Sequence, residues 1–531
     1  MQDGSLGWLA LAACVGAFAL ASLRWLRVAQ REHYIADSAS RFALRWWSST
    51  PLNAAIAALA AAGLVLGDRW AFATFATALC TAVGPVGLGL RGRSAPLAWT
   101  RRLETLAATS TIVGALGIGI GAWLGDAPLA SAAVALGAPA IVDIACRLTG
   151  PLERRLAGHY VRQASQRLRA VSPRVVAITG SYGKTSTKAA VAHLASGAMA
   201  VVATPASFNN EAGLARSINE HLADGTEVFV AEMGTYGPGE IAALCSWVRP
   251  DISAITAIGP VHLERFRTEE RIVSAKSEIL ERAAKVVLPV DDPRLGELAE
   301  RCRSQGKEVF TCATLTGPAD DGGPPDDAGP PEPAVSMPSA DVVVVRTGAT
   351  CSVIAGDVTL GECLEVPIRA GNLACAVATA LALGVPTDHL RSRIASIPPV
   401  AHRLVKSVSA SGVLVLDDTY NSNPAGCSAA LDELARSGGS AKRVVVTPGM
   451  VELGPRQASE NAAFAAAAGT KATHLIVVGR TNRRALLAGA RAAGIETLSM
   501  RTREEAVAWV RENLVTGDAV LYENDLPDHY P

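Results

Sequence analysis

The chain has 531 residues, enough for more than two domains at about 100 to 200 residues each. Its 49 Lys and Arg balance 49 Asp and Glu and its pI is near 7.1, so no global charge favours nucleic acid or another polyanion as partner. Ten cysteines without a C-x-x-C pair exclude a zinc ribbon and a dithiol redox motif, and fit free thiols in a reducing compartment. A mean hydropathy of +0.25 with 5% aromatic residues points to one very apolar region.

That region is residues 1–150. Apolar stretches at about 6 to 23, 52 to 67, 70 to 90, 104 to 125 and 128 to 148 each approach the roughly 20 residues that cross a bilayer, which predicts five spans in the lipid bilayer. The first residues lack the basic start of a cleavable signal peptide, so the first span reads as an anchor. Basic residues cluster after span one (Arg24, Arg27, Arg31, Arg41, Arg45), span three (Arg91, Arg93, Arg101, Arg102) and span five (Arg147, Arg154, Arg155). The positive-inside bias then places the N-terminus outside and everything beyond span five in the cytoplasm, as in a multi-pass inner-membrane protein. Glu104 and Asp143 fall near predicted cytoplasmic ends, which argues against a transport path.

Residues 151–172 carry Leu152, Leu156, Tyr160 and Leu168 among many arginines, a basic amphipathic linker helix suited to the inner leaflet or to packing on the next domain. There follows VVAITGSYGKTSTK, residues 175–188. A β-branched run breaks at Gly180-Ser181-Tyr182-Gly183-Lys184-Thr185-Ser186 and a helix-compatible segment follows, the strand, loop and helix order of a phosphate cradle. Lys184 is placed to reach outer phosphates, and Thr185 or Ser186 to put a hydroxyl on magnesium. The first glycine of the general G-x-x-x-x-G-K-[ST] loop falls on Ile178, so this is not the general P-loop.

From 173 to 395 strands alternate with helices: Glu227–Ala231 ending at Glu232, Ser253–Ile258 and Val286–Val290 read as strands of an open α/β sheet, whose sites lie beyond the strands' carboxyl ends. Residues 316–340, rich in Pro, Gly and Asp, read as a disordered insertion, and Asp341–Pro367 as a short hairpin or small sheet. Residues 396–531 form a second, Rossmann-like α/β domain, with strands at Val413–Leu416, Arg443–Thr447, Leu475–Val478 and Ala519–Tyr522.

The segment ITGSYGKTST resembles the ATP loop of the Mur ligases, ATP-dependent amide-bond-forming enzymes of peptidoglycan precursor synthesis. Later motifs agree in order: Ser207-Phe208-Asn209-Asn210-Glu211-Ala212-Gly213, Ala231-Glu232-Met233-Gly234, Ile258-Gly259-Pro260-Val261-His262-Leu263-Glu264 and Ala275-Lys276-Ser277-Glu278-Ile279. Asp417-Asp418-Thr419-Tyr420-Asn421-Ser422-Asn423-Pro424 and Met450-Val451-Glu452-Leu453-Gly454 are most similar to the branch that adds D-Ala-D-Ala to the UDP-MurNAc-tripeptide. The fold implied is an α-helical membrane region followed by a P-loop Mur ligase central domain and a Rossmann-like C-terminal domain.

The resemblance implies an acyl-phosphate reaction using ATP and two Mg2+ ions. Gly180 to Ser186, Asn372, Arg403 and Asp418 would then hold the nucleotide, with Thr185, Glu232, His262 and a carbamylated Lys276 at the metal and Lys184, Lys276 and His262 catalytic. Asn209, Asn210, Tyr420, Asn421 and Asn423 would face substrate, although the last three also form the turn that Asn-Pro favours. His402 reads as incidental, and Asp417 as a cap on its strand end.

The family's N-terminal UDP-sugar domain is replaced by the apolar region. Ala257 stands for a usual Asn, Gly449 for an expected Asp, and Tyr522-Glu523-Asn524-Asp525 for a Lys-Gly-Ser-Arg-like end. These departures leave ATP use intact and place the change at the substrate. The leading expectation is a membrane-tethered carboxylate-amine ligase of cell-envelope synthesis, acting on small-molecule or lipid-linked substrates. The alternatives are a capsule or poly-γ-glutamate-type synthetase, and a membrane nucleotide sensor without ligase activity.

Overall fold

The computed structural model describes residues 4–67, 70–90, 97–316, 339–348, 350–420, 422–437, 442–527 and 529–531. It divides into a helical unit, Met1–Gly158 with Gly479–Thr481 and Leu526–Pro531, and an α/β unit, His159–Val478 with Asn482–Asp525.

Among the described residues of the helical unit, two helices are long and apolar enough to cross a membrane: Leu6–Arg31 at mean hydropathy 2.0 and Arg101–Trp123 at 1.6. Two bent pairs, Ser38–Trp47 with Pro51–Val65 at 113° and Ala127–Leu136 with Ala138–Val171 at 74°, raise the number to four if each pair is one span. The expectation of five spans is corrected accordingly. An apolar run does not reveal where its helix breaks. Pro51 starts a new helix behind a Thr50 cap, whose hydroxyl accepts from Asn53 N at 3.1 Å, and the resulting 15 residues reach only about 22 Å against a hydrocarbon core of about 30 Å. Ala71–Val83 is shorter still, with 13 residues. Gly137 and Pro139 break the last run in the same way.

The separate linker helix is also corrected, because Ala138–Val171 is one helix of 34 residues with Pro151 inside it. Leu152, Leu156 and Tyr160 are exposed along it, whereas Ala164 and Leu168 pack into the α/β core. The helical unit's own core gathers Trp25, Phe42, Trp46, Leu103 and Leu106. Large apolar side chains such as Trp8, Phe72, Ile120 and Trp123 stay exposed on its surface, as expected of a lipid-facing or partner-facing region. Asp143 is buried and accepts from the backbone N–H of Ala39 at 3.1 Å and Ser40 at 2.8 Å, so it closes a helix N-terminus.

The α/β unit holds two sheets. The first comprises β1 (Arg174–Thr179), β2 (Val201–Ala203), β3 (Val228–Glu232), β4 (Ile252–Ile255), β5 (Lys285–Pro289), β6 (Glu308–Thr316), β7 (Val342–Thr347), β8 (Thr350–Ala355) and β9 (Val358–Leu364). Their order is β2-β3-β1-β4-β5-β6-β7-β8-β9, parallel as far as β7 and antiparallel beyond. Residues 341–367 thus extend the central sheet rather than forming one of their own. Asp341 fixes the junction by accepting from Thr311 N at 2.6 Å and Oγ1 at 2.7 Å, which sets β7 beside β6. Most of the expected insertion, residues 317–338, lies outside the described residues.

The second sheet comprises β10 (Val405–Val408), β11 (Leu414–Asp418), β12 (Arg443–Thr447), β13 (His474–Val478), β14 (Glu496–Met500) and β15 (Ala519–Glu523), in the order β10-β11-β15-β12-β13-β14. β10 is antiparallel to β11; the rest are parallel. β10 and β14 escape a reading based on apolar runs because they are edge strands with partly polar sequences. In the first sheet β1 lies between β3 and β4, with Ile178 opposite Glu232 on one side and Ala254 on the other. The carboxyl ends of these strands therefore meet at Gly180.

Candidate active site

The turn from β1 into helix Lys184–Ala195 is held open by small residues. Gly183 caps the helix at φ 84, and a Cβ there would stand 2.2 Å from Asn372 Oδ1; at Gly180 it would stand 2.0 Å from Thr256 Oγ1. The helix N-terminus is thereby left open to an anion. Ser181, expected to face the nucleotide, is engaged within the loop. It is buried, donates to Gly259 O at 3.0 Å and accepts from Gly259 N at 3.0 Å, pinning the loop to the segment after β4.

Lys184 Nζ donates to Gly180 O at 2.8 Å, and Lys276 Nζ donates to the same oxygen at 3.0 Å. Burial lowers both amines, Lys276 well below the ordinary lysine value with the Lys184 charge as its second cause. A depressed lysine spends more time as the free amine, the form that carbamylation requires.

Glu232, 1% exposed at the end of β3, accepts from Thr185 Oγ1 and Asn209 Nδ2 at 3.0 Å each and pairs with Lys188 Nζ at 3.2 Å. The threonine hydroxyl and carboxylate are the hard oxygen donors that Mg2+ prefers, so this pair fits one ion. His262, at φ 58, turns its Nδ1 to Glu452 of the C-terminal domain, with Tyr236 at a ring distance of 5.3 Å. Among the described residues no group of three His, Cys, Asp or Glu is arranged to hold a metal.

A cavity of about 400 Å3 opens beside the loop, lined by Tyr182, Gly183, Ser186, Asn372, Arg403, Asp418 and Asn423 among others. Seven residues singled out in the sequence thus share one space. Arg403 stacks over Tyr420 at 4.3 Å, and Tyr420 donates to Ser207 Oγ at 2.6 Å. Burial, first among its causes, raises the Asp418 carboxyl, while Arg369 at 2.9 Å and Arg403 oppose the shift.

Asn210 has a structural task, accepting from Gly213 N at 2.9 Å as the cap of helix Glu211–His221. Asn423 likewise accepts from Gly426 N at 2.9 Å while facing the cavity. Asn421 lies outside the described residues. Asp417 is more than a strand-end cap: it holds His402 at 2.7 Å and the Thr419 hydroxyl at 2.6 Å, which gives His402 a fixed partner.

Three residues without an assigned role in the sequence reading belong here: Lys188, Arg369 and Glu452. Lys188 was within reach of pattern, standing four residues after Lys184 and so on the same helix face. Arg369 and Glu452 act through partners 49 and 190 residues away, which no local spacing reveals.

A phosphate cradle beside a cavity at the ends of parallel strands, with a second α/β sheet alongside, is the arrangement of an ATP-dependent amide-bond-forming ligase. Residues 178–321 match the Mur ligase middle domain and residues 402–522 the Mur ligase, glutamate ligase domain. The UDP-N-acetylmuramoyl-tripeptide–D-alanyl-D-alanine ligase of Mycobacterium leprae is 31% identical over 381 residues, covering 65% of this chain and 70% of the relative. Its counterpart from Mycobacterium tuberculosis H37Rv is 30% identical over 371 residues, covering 65% and 69%. The MurF ligase of Thermotoga maritima in complex with ADP superposes with a TM-score of 0.56 at 26% identity, over 70% of this chain and 80% of that one. The chain belongs to the Mur ligase family and is similar to its MurF-like branch.

Proposed function

We propose that this ligase activates a peptide carboxylate of a cell-envelope precursor and joins it to an amine, with ATP bound in the cavity beside Gly183. In that reading the Lys184 ammonium and the helix N-terminus at Gly183 hold the phosphate charge, and Thr185 and Glu232 hold a Mg2+ ion that neutralises the charge developing on phosphoryl transfer. Lys188 orients Glu232 through their ion pair. The acyl phosphate is then attacked by an amine brought up by the C-terminal domain, whose closure His262 and Glu452 secure. Carbamylation of Lys276 would turn a buried amine into an additional oxygen ligand.

The observation that carries this reading is the convergence of Tyr182, Gly183, Asn372, Arg403 and Asp418 on one cavity next to the Thr185–Glu232 pair. The amine to test first is a D-Ala-D-Ala dipeptide, because the mycobacterial relatives are named for that reaction. The carboxylate is proposed to be lipid-linked or polymeric. The apolar helices and the basic residues at Arg24–Arg45 and Arg147–Arg155 favour attachment at the inner face of a membrane, with the α/β unit cytoplasmic.

Detergent-solubilised protein is incubated with ATP, Mg2+ and pools of UDP-linked, lipid-linked and γ-glutamyl carboxylates with candidate amines. Release of ADP that depends on one pool, together with a new condensed mass, supports the reading and names the substrate. ATP binding without acyl phosphate or amide from any pool contradicts it.

A further inference from the structure

Two carboxyls and one guanidinium stand where the cavity meets the second sheet. Asp418 and Glu523 are register partners at the carboxyl ends of the parallel strands β11 and β15, and both are buried, at 4% and 1% exposure. Arg369, which lines the cavity just before helix Ala370–Ala382, donates from Nη2 to Asp418 Oδ2 at 2.9 Å and to Gly426 O at 3.1 Å. Among the described residues its Nε and Nη1 donate to nothing, so part of the fork is uncommitted.

Glu523 has no cation of its own. Its Oε1 accepts from Ser422 Oγ at 2.6 Å and from Cys427 Sγ at 3.2 Å, and its buried Oε2 has no hydrogen-bond partner among the described residues. An ionised oxygen there would be desolvated and uncompensated, so the proton that the pair retains belongs on Glu523 and the charge on Asp418, beside Arg369. The other neighbours leave this unchanged. Burial pushes the Cys427 thiol well up and keeps it neutral, and β12, on the far side of β15, ends at the uncharged Thr447.

Charge then decides what the cavity holds. With Glu523 neutral, Arg369 and Arg403 share the single charge of Asp418 and leave positive charge over; with Glu523 ionised, none is left. We propose that Arg369 is a further nucleotide-binding residue, contributing its guanidinium to the phosphates of ATP, and that the proton on Glu523 keeps that guanidinium available to them. This rests on the reading that ATP occupies the cavity beside Gly183. Burial first, and then the Asp418 charge, bring Glu523 to about 8. Above that value it offers Arg369 a second carboxylate and sets negative charge behind the phosphates, so rising pH weakens ATP binding.

The affinity of the full chain in detergent for ATP is measured by calorimetry at pH 7 and pH 9, without a carboxylate substrate and in excess Mg2+. The parent's affinity relative to that of Glu523→Gln should fall about tenfold over this range, the ratio cancelling groups such as Lys184 that titrate in both. Arg369→Ala should weaken binding about tenfold at pH 7, with part of the loss recovered in Arg369→Lys, and its pH step should move upward, because the Arg369 charge holds the acid down. Should Glu523→Gln fail to fold, the displaced step of Arg369→Ala carries the test. A constant ratio, a step that stays in place in Arg369→Ala, or a loss under about twofold in that variant overturns this inference alone; a parent that binds no ATP overturns the reading of the cavity with it.

Discussion

At the phosphate loop the most telling side chain is Lys276, a buried amine on the carbonyl of Gly180, depressed by burial and by Lys184. If it works as a carbamate, Lys276→Ala should lower turnover about a hundredfold and short carboxylates should recover part of the loss, read as initial rates of ADP release. Unchanged turnover rejects the role. Glu523 offers a pH signature. It is buried at the end of β15, accepts from Ser422 Oγ at 2.6 Å, and is pushed up to about 8, first by burial and then by the Asp418 charge. A carboxyl raised on folding binds its proton more tightly in the native state. Between its ordinary value of 4.5 and about 8, rising pH therefore removes stability. Glu523→Gln should accordingly gain melting temperature relative to the parent on going from pH 5 to pH 8; a constant difference across that range contradicts the buried neutral acid.

Among the elements, the turn between β1 and helix Lys184–Ala195 has the least tolerance. Gly183→Ala adds a methyl 2.2 Å from Asn372 Oδ1 at a positive φ, so ATP affinity should fall more than about tenfold while far-ultraviolet circular dichroism stays unchanged. Equilibrium binding of a fluorescent ATP analogue checks this. The short helix Leu263–Phe266 is fixed to the C-terminal domain by His262 on Glu452, with Arg265 3.7 Å from the same carboxylate. A double-mutant cycle of His262→Ala and Glu452→Ala should show a coupling of about 1 kcal/mol in unfolding free energy, and additive effects would show that the contact carries no weight.

On the scale of the molecule, the parts most legible in the sequence were those whose logic is local. The loop 180–186 and the strand ending in Glu232 can be read because glycine spacing and apolar runs act over a few residues. The bond of Ser181 to Gly259, 78 residues distant, left no local trace. Asn210 carries a helix-capping bond that the motif reading did not anticipate. The spans were overcounted because hydropathy does not register that the run 70–90 yields only the 13-residue helix Ala71–Val83, and the last six residues were placed with the C-terminal domain although they fall in the helical unit.

The central claim is that ATP is spent on activating a carboxylate in the cavity beside Gly183. It is tested most directly by supplying the condensing carboxylate labelled with oxygen-18 and weighing the phosphate released. The account predicts one labelled oxygen in inorganic phosphate for every amide formed, and none in a Lys184→Ala variant; amide formation with unlabelled phosphate would contradict it.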